Sequence, residues 1–314
     1  MQNFWQNFKT PFFCSAPMAG ITDIAFRQML LTFGRSDVMW TEMVSVESIE
    51  REIVKEYKID LKFYIKEQPL VAQIFGSKPK QFIKATKLIK KLGFSGIDIN
   101  MGCPDKNIIK QGAGSALIKN PKLATQIIKT VQANSGHLPV LVKTRLGFLK
   151  FDLDWHRALL KTQPAALTIH GRTKQQMYAG QADWDKITEV VRLRDKISPQ
   201  TVIIGNGDVK SLEQGRKQAR QSGVDGVMIG RAMLSEPWVF GEKAGSKNRK
   251  ERVGLLIEHA TLYNDFFGTA KHFDNFKKFI KTYISDFTGS KELRVKLMSA
   301  SSVDELINIA QKYG

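Results

Sequence analysis

Residues 201–231, TVIIGNGDVKSLEQGRKQARQSGVDGVMIGR, contain two short apolar runs, and each run ends in a polar loop that carries glycine. Apolar runs of this length, rich in Val and Ile and closed by glycine, indicate strands that are buried on both faces of a parallel sheet. Six similar runs precede them: FFCSAPMAG (12–20), VMWTEMVS (38–45), LVAQIFG (70–76), GIDINMG (96–102), VLVKTRLG (140–147) and ALTIHGR (166–172).

Segments with helical periodicity lie between the apolar runs. After Ser77, which we interpret as an N-cap, apolar residues recur at helical spacing until Gly93, and this pattern predicts a helix with a glycine terminator. A second helix is predicted to begin with Asn120 as its N-cap and Pro121 at its first position. The chain therefore alternates between strands and helices.

Eight strand–helix units in residues 1–240 predict an α/β fold, for which a closed TIM (β/α)8 barrel and a doubly wound sheet are the two alternatives. Polar side chains stand at the C-terminal end of nearly every predicted strand. Since active sites of TIM barrels are built from those strand ends, the closed barrel is the favoured interpretation.

The pattern changes after Phe240. The stretch GEKAGSKNRKER is polar and predicts a linker, and we expect residues 245–314 to form a small all-α domain. Three segments there show only helical patterns: VGLLIEHATLYNDFF (253–267), FDNFKKFIKTYISDF (273–287) and VDELINIAQKY (303–313).

The 314-residue chain is strongly basic, with 48 Lys and Arg against 30 Asp and Glu and a formal net charge of +18. Basic side chains neutralise phosphates and release counterions, so the charge favours a nucleic acid partner over the alternative of a merely Lys-rich surface.

The presence of only two cysteines argues against a disulfide framework, and the absence of metal-ligand spacing argues against a structural metal. With no signal-peptide pattern and no apolar run of membrane-spanning length, we expect a soluble, cytoplasmic monomer.

The loops after the seventh and eighth predicted strands both contain glycine. In TIM barrels these two loops form the standard phosphate site. Gly207 and Gly230 would let backbone N–H groups approach a phosphate, and Arg231 would supply positive charge at a helix start. A phosphate-bearing cofactor is predicted here, although each glycine loop alone would be an ordinary turn.

Several other strands end in side chains suited to a polar planar ligand. Lys143 lies in a buried apolar strand, where a charge is costly without a partner; a ring that gains negative charge, such as a reduced flavin, would be one. Gln73 offers a donor and an acceptor together, which suits an imide edge. Arg145, His170 and Arg172 also stand at strand ends, and His170 taken alone fits a structural histidine equally well.

The fourth predicted strand runs into Asn100, Met101, Gly102, Cys103 and Pro104. A thiol in such a loop at the barrel mouth is accessible and can act as a nucleophile or as a general acid. The acid role requires a protonated thiol, which its ordinary pKa of about 8.5 allows. Cys14 lies inside the first strand, where we expect a small buried side chain.

Six motifs are distributed along the predicted barrel: APMAGITD (16–23), INMGCPDK (99–106), GSALI (114–118), IHGRTKQQMYAGQADW (169–184), NGD (206–208) and GRAMLSEPW (230–238). Together they resemble the tRNA-dihydrouridine synthase family over most of the barrel, and the position of the helical tail also fits that family. The resemblance implies a flavin-dependent oxidoreductase with FMN as cofactor and NADPH as reductant. The implied reaction reduces the uridine 5,6 double bond in tRNA.

The resemblance also implies roles for individual residues. Hydride would pass from flavin N5 to uracil C6, and Cys103 would protonate C5 from the opposite face. Lys143 would stabilise the reduced flavin. The residues implied to bind the cofactor are Pro17, Met18, Ala19, Gln73, Lys143, His170, Asn206, Gly207, Asp208, Gly230 and Arg231. Those implied on the substrate side are Asn100, Arg145 and Arg172.

Two alternative functions remain at this point. One is an FMN barrel that acts on a free pyrimidine, as dihydroorotate or dihydropyrimidine dehydrogenases do. The charge of +18, the HGRT motif (170–173) and the helical tail favour tRNA over a free base. The other is a noncatalytic RNA-binding barrel, which would need none of Cys103, Lys143 and His170.

Overall fold

The computed structural model describes residues 4–52, 59–241 and 247–313. Eight parallel strands form a single sheet in the order β1-β8-β7-β6-β5-β4-β3-β2. The strands are β1 Phe12–Ser15, β2 Met39–Ser45, β3 Leu70–Phe75, β4 Gly96–Met101, β5 Val140–Arg145, β6 Ala166–His170, β7 Val202–Asn206 and β8 Gly226–Ile229. All eight predicted strands are confirmed.

The sheet closes on itself between its first and second strands. Cys14 of β1 forms a parallel bridge with Val38, and the backbone N–H of Ser15 donates to the Val38 carbonyl at 3.1 Å. Most strand residues are buried, as expected for strands that have side chains inside the barrel and helices outside. The fold is therefore a TIM barrel, as the sequence predicts.

Thirteen α-helices lie in the described part of the chain. They are α1 Ile24–Phe33, α2 Val46–Glu50, α3 Pro79–Leu92, α4 Lys106–Lys110, α5 Pro121–Ser135, α6 Leu153–Leu160, α7 Trp184–Ile197, α8 Leu212–Ser222, α9 Ala232–Ser235, α10 Arg249–Phe267, α11 Ile280–Tyr283, α12 Ser290–Met298 and α13 Val303–Tyr313. None of the helices described is long and apolar enough to cross a membrane.

The predicted helix boundaries are mostly confirmed. Asn120 caps α5 by accepting from the Leu123 N–H at 3.1 Å, and Gly93 ends α3 in the left-handed conformation with φ of 84°. The N-cap of α3 was predicted wrongly, because Lys78 and not Ser77 holds that position. The Ser77 hydroxyl instead donates to the Gln111 carbonyl at 2.6 Å, which removes it from the helix end.

The described chain divides into two compact units, residues 1–19 with 36–230 and residues 20–35 with 231–314. The first unit contains the barrel strands. The second combines α1 with the C-terminal helices around an aromatic cluster. There Phe26 of α1 stacks on Phe279 with ring centroids 5.4 Å apart, and both rings contact His259 of α10.

The C-terminal segment is helical, but its details differ from the predicted pattern. Within residues 273–287 the structure has two 3-10 turns, Phe273–Asn275 and Lys277–Phe279, and the short helix α11 in place of one long helix. Helix α12 was not predicted. Residues 242–246 of the predicted linker lie outside the described residues, and Asn248 caps α10 directly after them.

Candidate active site

Lys143 extends from β5 toward β7 at the C-terminal end of the barrel. Its Nζ donates to Asn206 Oδ1 at 3.3 Å, and Asn206 Nδ2 donates to the Met228 carbonyl at 2.8 Å. Among the described residues, Lys143 forms no ion pair within 4.0 Å. Burial, followed by the charge of Arg145, lowers the pKa of Lys143 to about 8, while Asp98 opposes the shift. Lys143 is thus a half-buried amine beside a neutral amide.

Asp98 is a buried carboxylate in β4 that the sequence analysis missed. Burial raises its pKa to about 6, against the lowering effects of Gln73, Lys143 and Trp40. Its Oδ2 accepts from Gln73 Nε2 at 2.7 Å and from Trp40 Nε1 at 3.1 Å. The available signal was the acidic residue within the otherwise apolar run of β4, because a buried charge needs partners.

The hydrogen bonds continue from Asp98 to the loop that carries the cysteine. Asn100 Nδ2 donates to Gln73 Oε1 at 2.9 Å. Asn100 Oδ1 in turn accepts from the backbone N–H groups of Gly102 at 3.1 Å and Cys103 at 2.9 Å. Gln73 and Asn100, predicted for cofactor and substrate respectively, therefore belong to one network.

Cys103 follows β4 and is partly exposed, as a reactive thiol requires. Its carbonyl accepts from the Ser115 N–H at 3.0 Å, so the loop is held from both sides. Burial, as the largest effect, raises the pKa of Cys103 above its ordinary value, which keeps the thiol protonated at neutral pH. Cys14 is fully buried, as predicted, and burial raises its pKa as well.

Arg145 and Arg172 are largely enclosed by the loops after β5 and β6. Arg145 is 3% exposed, and its guanidinium donates to the carbonyls of Gly102 at 2.7 Å and Thr173 at 3.1 Å. Arg172 is 2% exposed and forms an ion pair with Asp208 at 2.6 Å. These bonds hold the mouth loops together, and direct contact of either arginine with substrate stays a prediction.

The loop after β7 has a backbone that requires glycine. Gly207 has φ of 134°, and a Cβ there would lie 2.5 Å from Ala182 Cβ and 3.3 Å from His170 Cδ2. The next residue, Asp208, has φ of 58° and accepts from the Ala182 N–H at 2.8 Å, so its carboxylate faces protein donors. His170 lies beside this turn.

The loops after β1 and β8 lie side by side. A Cβ on Gly230 would lie 3.5 Å from Ala16 Cβ and 3.9 Å from Met18 Sδ. Pro17 and Met18 are partly exposed and Ala19 is exposed, so this stretch is open to a ligand. Arg231 belongs to the second unit, where it stands at the N-terminus of α9.

The half-buried amine of Lys143 gives a testable dependence of stability on pH. The native pKa of about 8 lies below the ordinary 10.5, so the native state loses its proton at lower pH than the unfolded chain. The free energy of unfolding should therefore rise with pH between 8 and 10.5 through this group. We expect Lys143→Met to be more stable than wild type near pH 7 by on the order of 2 kcal/mol, with the difference shrinking toward pH 10.

Denaturant unfolding at several pH values measures this difference. Lys87→Met, on the exposed face of α3, controls for the loss of a lysine. A stability difference for Lys143→Met that grows between pH 8 and 10 would contradict the assigned burial effect.

A closed parallel barrel with a cysteine, a lysine and a buried amide–carboxylate network at its mouth is an α/β-barrel enzyme. The model of the family described as dihydrouridine synthase matches residues 14–313. A probable tRNA-dihydrouridine synthase of Staphylococcus epidermidis is 39% identical over 308 residues, covering 97% of this chain and 94% of that protein. The chain belongs to the dihydrouridine synthase family.

A second relative agrees with this assignment, and one solved structure is similar in fold. A probable tRNA-dihydrouridine synthase 2 of Bacillus subtilis is 40% identical over 309 residues, covering 97% of this chain and 94% of that protein. A solved structure of a variant of NCR from Zymomonas mobilis is similar with a TM-score of 0.51 at 16% identity, covering 76% of this chain and 88% of that one. The structural similarity supports the barrel fold.

Proposed function

We propose that this protein is an FMN- and NADPH-dependent tRNA-dihydrouridine synthase that reduces the 5,6 double bond of uridines in tRNA. One observation carries the proposal: the mouth of a single barrel holds a partly exposed thiol, Cys103, in the loop after β4 and a half-buried amine, Lys143, on the neighbouring β5. The names of the relatives support the same reaction.

The mouth of the barrel fits a flavin phosphate. Gly207 adopts a φ of 134° that favours glycine, and a Cβ on Gly230 would have no contact closer than 3.5 Å, so both loops can present backbone N–H groups to a phosphate. Lys143, which lacks a carboxylate partner within 4.0 Å among the described residues, matches a ligand that gains negative charge. We assign the phosphate to Asn206, Gly207, Asp208, Gly230 and Arg231, and the ring to Gln73, Lys143, His170 and the segment Pro17–Ala19.

When bound, FMN would supply hydride chemistry for C6 of the uracil, with NADPH as the reductant. Cys103 donates its Sγ proton to C5, and its raised pKa keeps that proton available at neutral pH. Lys143 carries the positive charge next to the ring. Asn100, Arg145 and Arg172 order the loops around the uracil, and we assign them to the substrate side of the site.

The tRNA is the partner that matches the charge of the chain. The target uridine must be extruded from folded RNA at a cost of a few kcal/mol, so contacts outside the pocket must compensate. Residues 241–314 carry 13 Lys and Arg against 9 Asp and Glu, net +4, so most of the +18 lies on residues 1–240. We propose that the C-terminal helical segment contributes by the placement of its charges, in a cytoplasmic, monomeric enzyme.

The cofactor is tested first. We expect the purified protein to be yellow, with one releasable FMN per chain, and NADPH to bleach its absorbance under anaerobic conditions. A protein that is colourless and takes up no added FMN would refute the flavin assignment. If FMN binds but NADPH does not bleach it, the assigned reductant is wrong.

A further inference from the structure

We infer that Asp98 is a positioning residue that sets the polarity of a hydrogen-bond relay through Gln73 and Asn100 to the Cys103 loop. In this relay Gln73 Nε2 donates to Asp98 Oδ2 at 2.7 Å, and Asn100 Nδ2 donates to Gln73 Oε1 at 2.9 Å. Asn100 Oδ1 then accepts from the N–H groups of Gly102 at 3.1 Å and Cys103 at 2.9 Å. Its effect on tRNA reduction rests on the proposed function, whereas its effect on the thiol does not.

The polarity matters because the two ends of a side-chain amide have nearly the same shape but opposite hydrogen-bonding roles. Asp98 Oδ2 is an acceptor, so Gln73 must direct its NH2 group toward it and its oxygen toward Asn100. Asn100 must then direct its NH2 group toward Gln73, which leaves its oxygen for the loop. A flipped amide at either position would place two acceptors or two donors against each other.

The two ends of the relay require the same orientation. At the loop end, the backbone N–H groups of Gly102 and Cys103 are donors only, so they need the oxygen of Asn100. At the other end, Trp40 Nε1 donates to the same Asp98 Oδ2 at 3.1 Å and holds the carboxylate in place. Each amide therefore has one orientation that satisfies its neighbours.

Burial makes this orientation decisive. The three side chains of the relay, Asp98, Gln73 and Asn100, are each 8% exposed or less, and in such surroundings an unsatisfied polar group is costly. Asp98 Oδ1 is buried without a hydrogen-bond partner among the described residues, so a proton can occupy it while Oδ2 still accepts. The relay thus keeps its polarity in both protonation states of Asp98.

The consequence for chemistry lies at the end of β4. Asn100 Oδ1 accepts from two successive N–H groups, which fixes the turn that brings Cys103 to the mouth. A displacement of about 1 Å at a reacting group can lower the rate by about 10²-fold. Asp98 contacts neither the thiol nor the substrate side, so it acts through Gln73 and Asn100.

The test compares Asp98→Leu, which removes the acceptor, with Asp98→Asn, which retains an acceptor oxygen in a side chain of the same shape. Thr201→Val serves as a matched control, because it removes a buried hydrogen bond of 2.8 Å to the Pro164 carbonyl below β7. The first measurement is the rate of iodoacetamide alkylation of Cys103 in the purified native protein, with peptide mapping. The buried Cys14 should stay unmodified in all variants.

We expect Asp98→Leu to raise the alkylation rate of Cys103 by about ten-fold, because a loosened loop exposes the thiol and brings its pKa toward the ordinary value. The kcat for tRNA reduction should fall by roughly 10- to 100-fold, with KM for tRNA little changed. For Asp98→Asn and Thr201→Val, the alkylation rate of Cys103 and the kcat for tRNA reduction should both stay within about three-fold of wild type. This is well below the change expected when the thiol is no longer held in position.

If Asp98→Leu does not fold, Gln73→Met interrupts the relay at its middle, and the same rise in alkylation is expected. Wild-type alkylation in either folded variant would overturn the inference. Equal damage by Asp98→Asn and Asp98→Leu would also overturn it, since the charge and not the acceptor would then matter. If alkylation changes as expected but wild type does not reduce tRNA, the relay stands and the proposed function fails.

Discussion

Cys103→Ala should lose tRNA reduction by roughly two to four orders of magnitude, the usual contribution of a positioned general acid. The variant should keep its FMN and its oxidation of NADPH, because neither process uses the proton of the thiol. The loop itself should remain, since Asn100 and Ser115 hold it through backbone groups of Cys103 and not through the side chain. Single-turnover reduction of tRNA by the prereduced protein measures the loss.

Cys14→Ala is the matched control, because this cysteine is fully buried in β1. It should keep nearly full turnover, apart from any loss of stability from the small cavity. Wild-type turnover in Cys103→Ala would exclude the general-acid role. Loss of NADPH oxidation in Cys103→Ala would instead mean that the substitution disturbs the flavin site.

Gly207→Ala should weaken the binding of FMN. The backbone there has φ of 134°, and the added Cβ would lie 2.5 Å from Ala182 Cβ, so the turn after β7 must move. The strained backbone alone costs roughly 1–3 kcal/mol. We expect the affinity for FMN to fall at least about five-fold, which corresponds to the lower end of that strain energy, together with tRNA reduction. Absorbance spectra of the purified variant and titration with FMN measure the effect.

Two other glycine variants serve as controls that distinguish backbone strain from a change close to the bound FMN. Gly93 has φ of 84° and open space around it at the end of α3, so Gly93→Ala carries the strain without the clash and should keep its flavin. Gly230→Ala meets only ordinary contacts of 3.5 Å and 3.9 Å, so it should fold normally but bind FMN less tightly. Full FMN content in Gly207→Ala would contradict the phosphate assignment.

The strands were predictable because each one is a largely apolar run that ends in a polar or glycine-bearing segment, and burial on both faces leaves few other residues possible. Asn120 with Pro121 and Gly93 were predictable for local reasons, since each acts within its own turn of helix. Ser77 shows the limit of such rules. Its hydroxyl bonds the carbonyl of Gln111, and a sequence pattern does not reveal a partner so far along the chain.

The organisation of the site depends on contacts that are distant in sequence. The positions at the ends of β3 to β7 were predictable, since parallel strands bring their carboxyl ends together. Asp98 was missed because its importance comes from Trp40, which is 58 residues away. In the same way, nothing local in residues 20–35 reveals that α1 packs with the C-terminal helices.

The most direct test of the proposed function is the reduction of an unmodified tRNA transcript by the purified protein with FMN and NADPH. We expect nucleoside mass spectrometry to find uridine converted to dihydrouridine, heavier by two hydrogens, at defined positions of the tRNA. Free uracil and uridine should stay unchanged under the same conditions. Efficient reduction of the free base or nucleoside, with the tRNA left unmodified, would contradict the proposed function and favour a free-pyrimidine reductase.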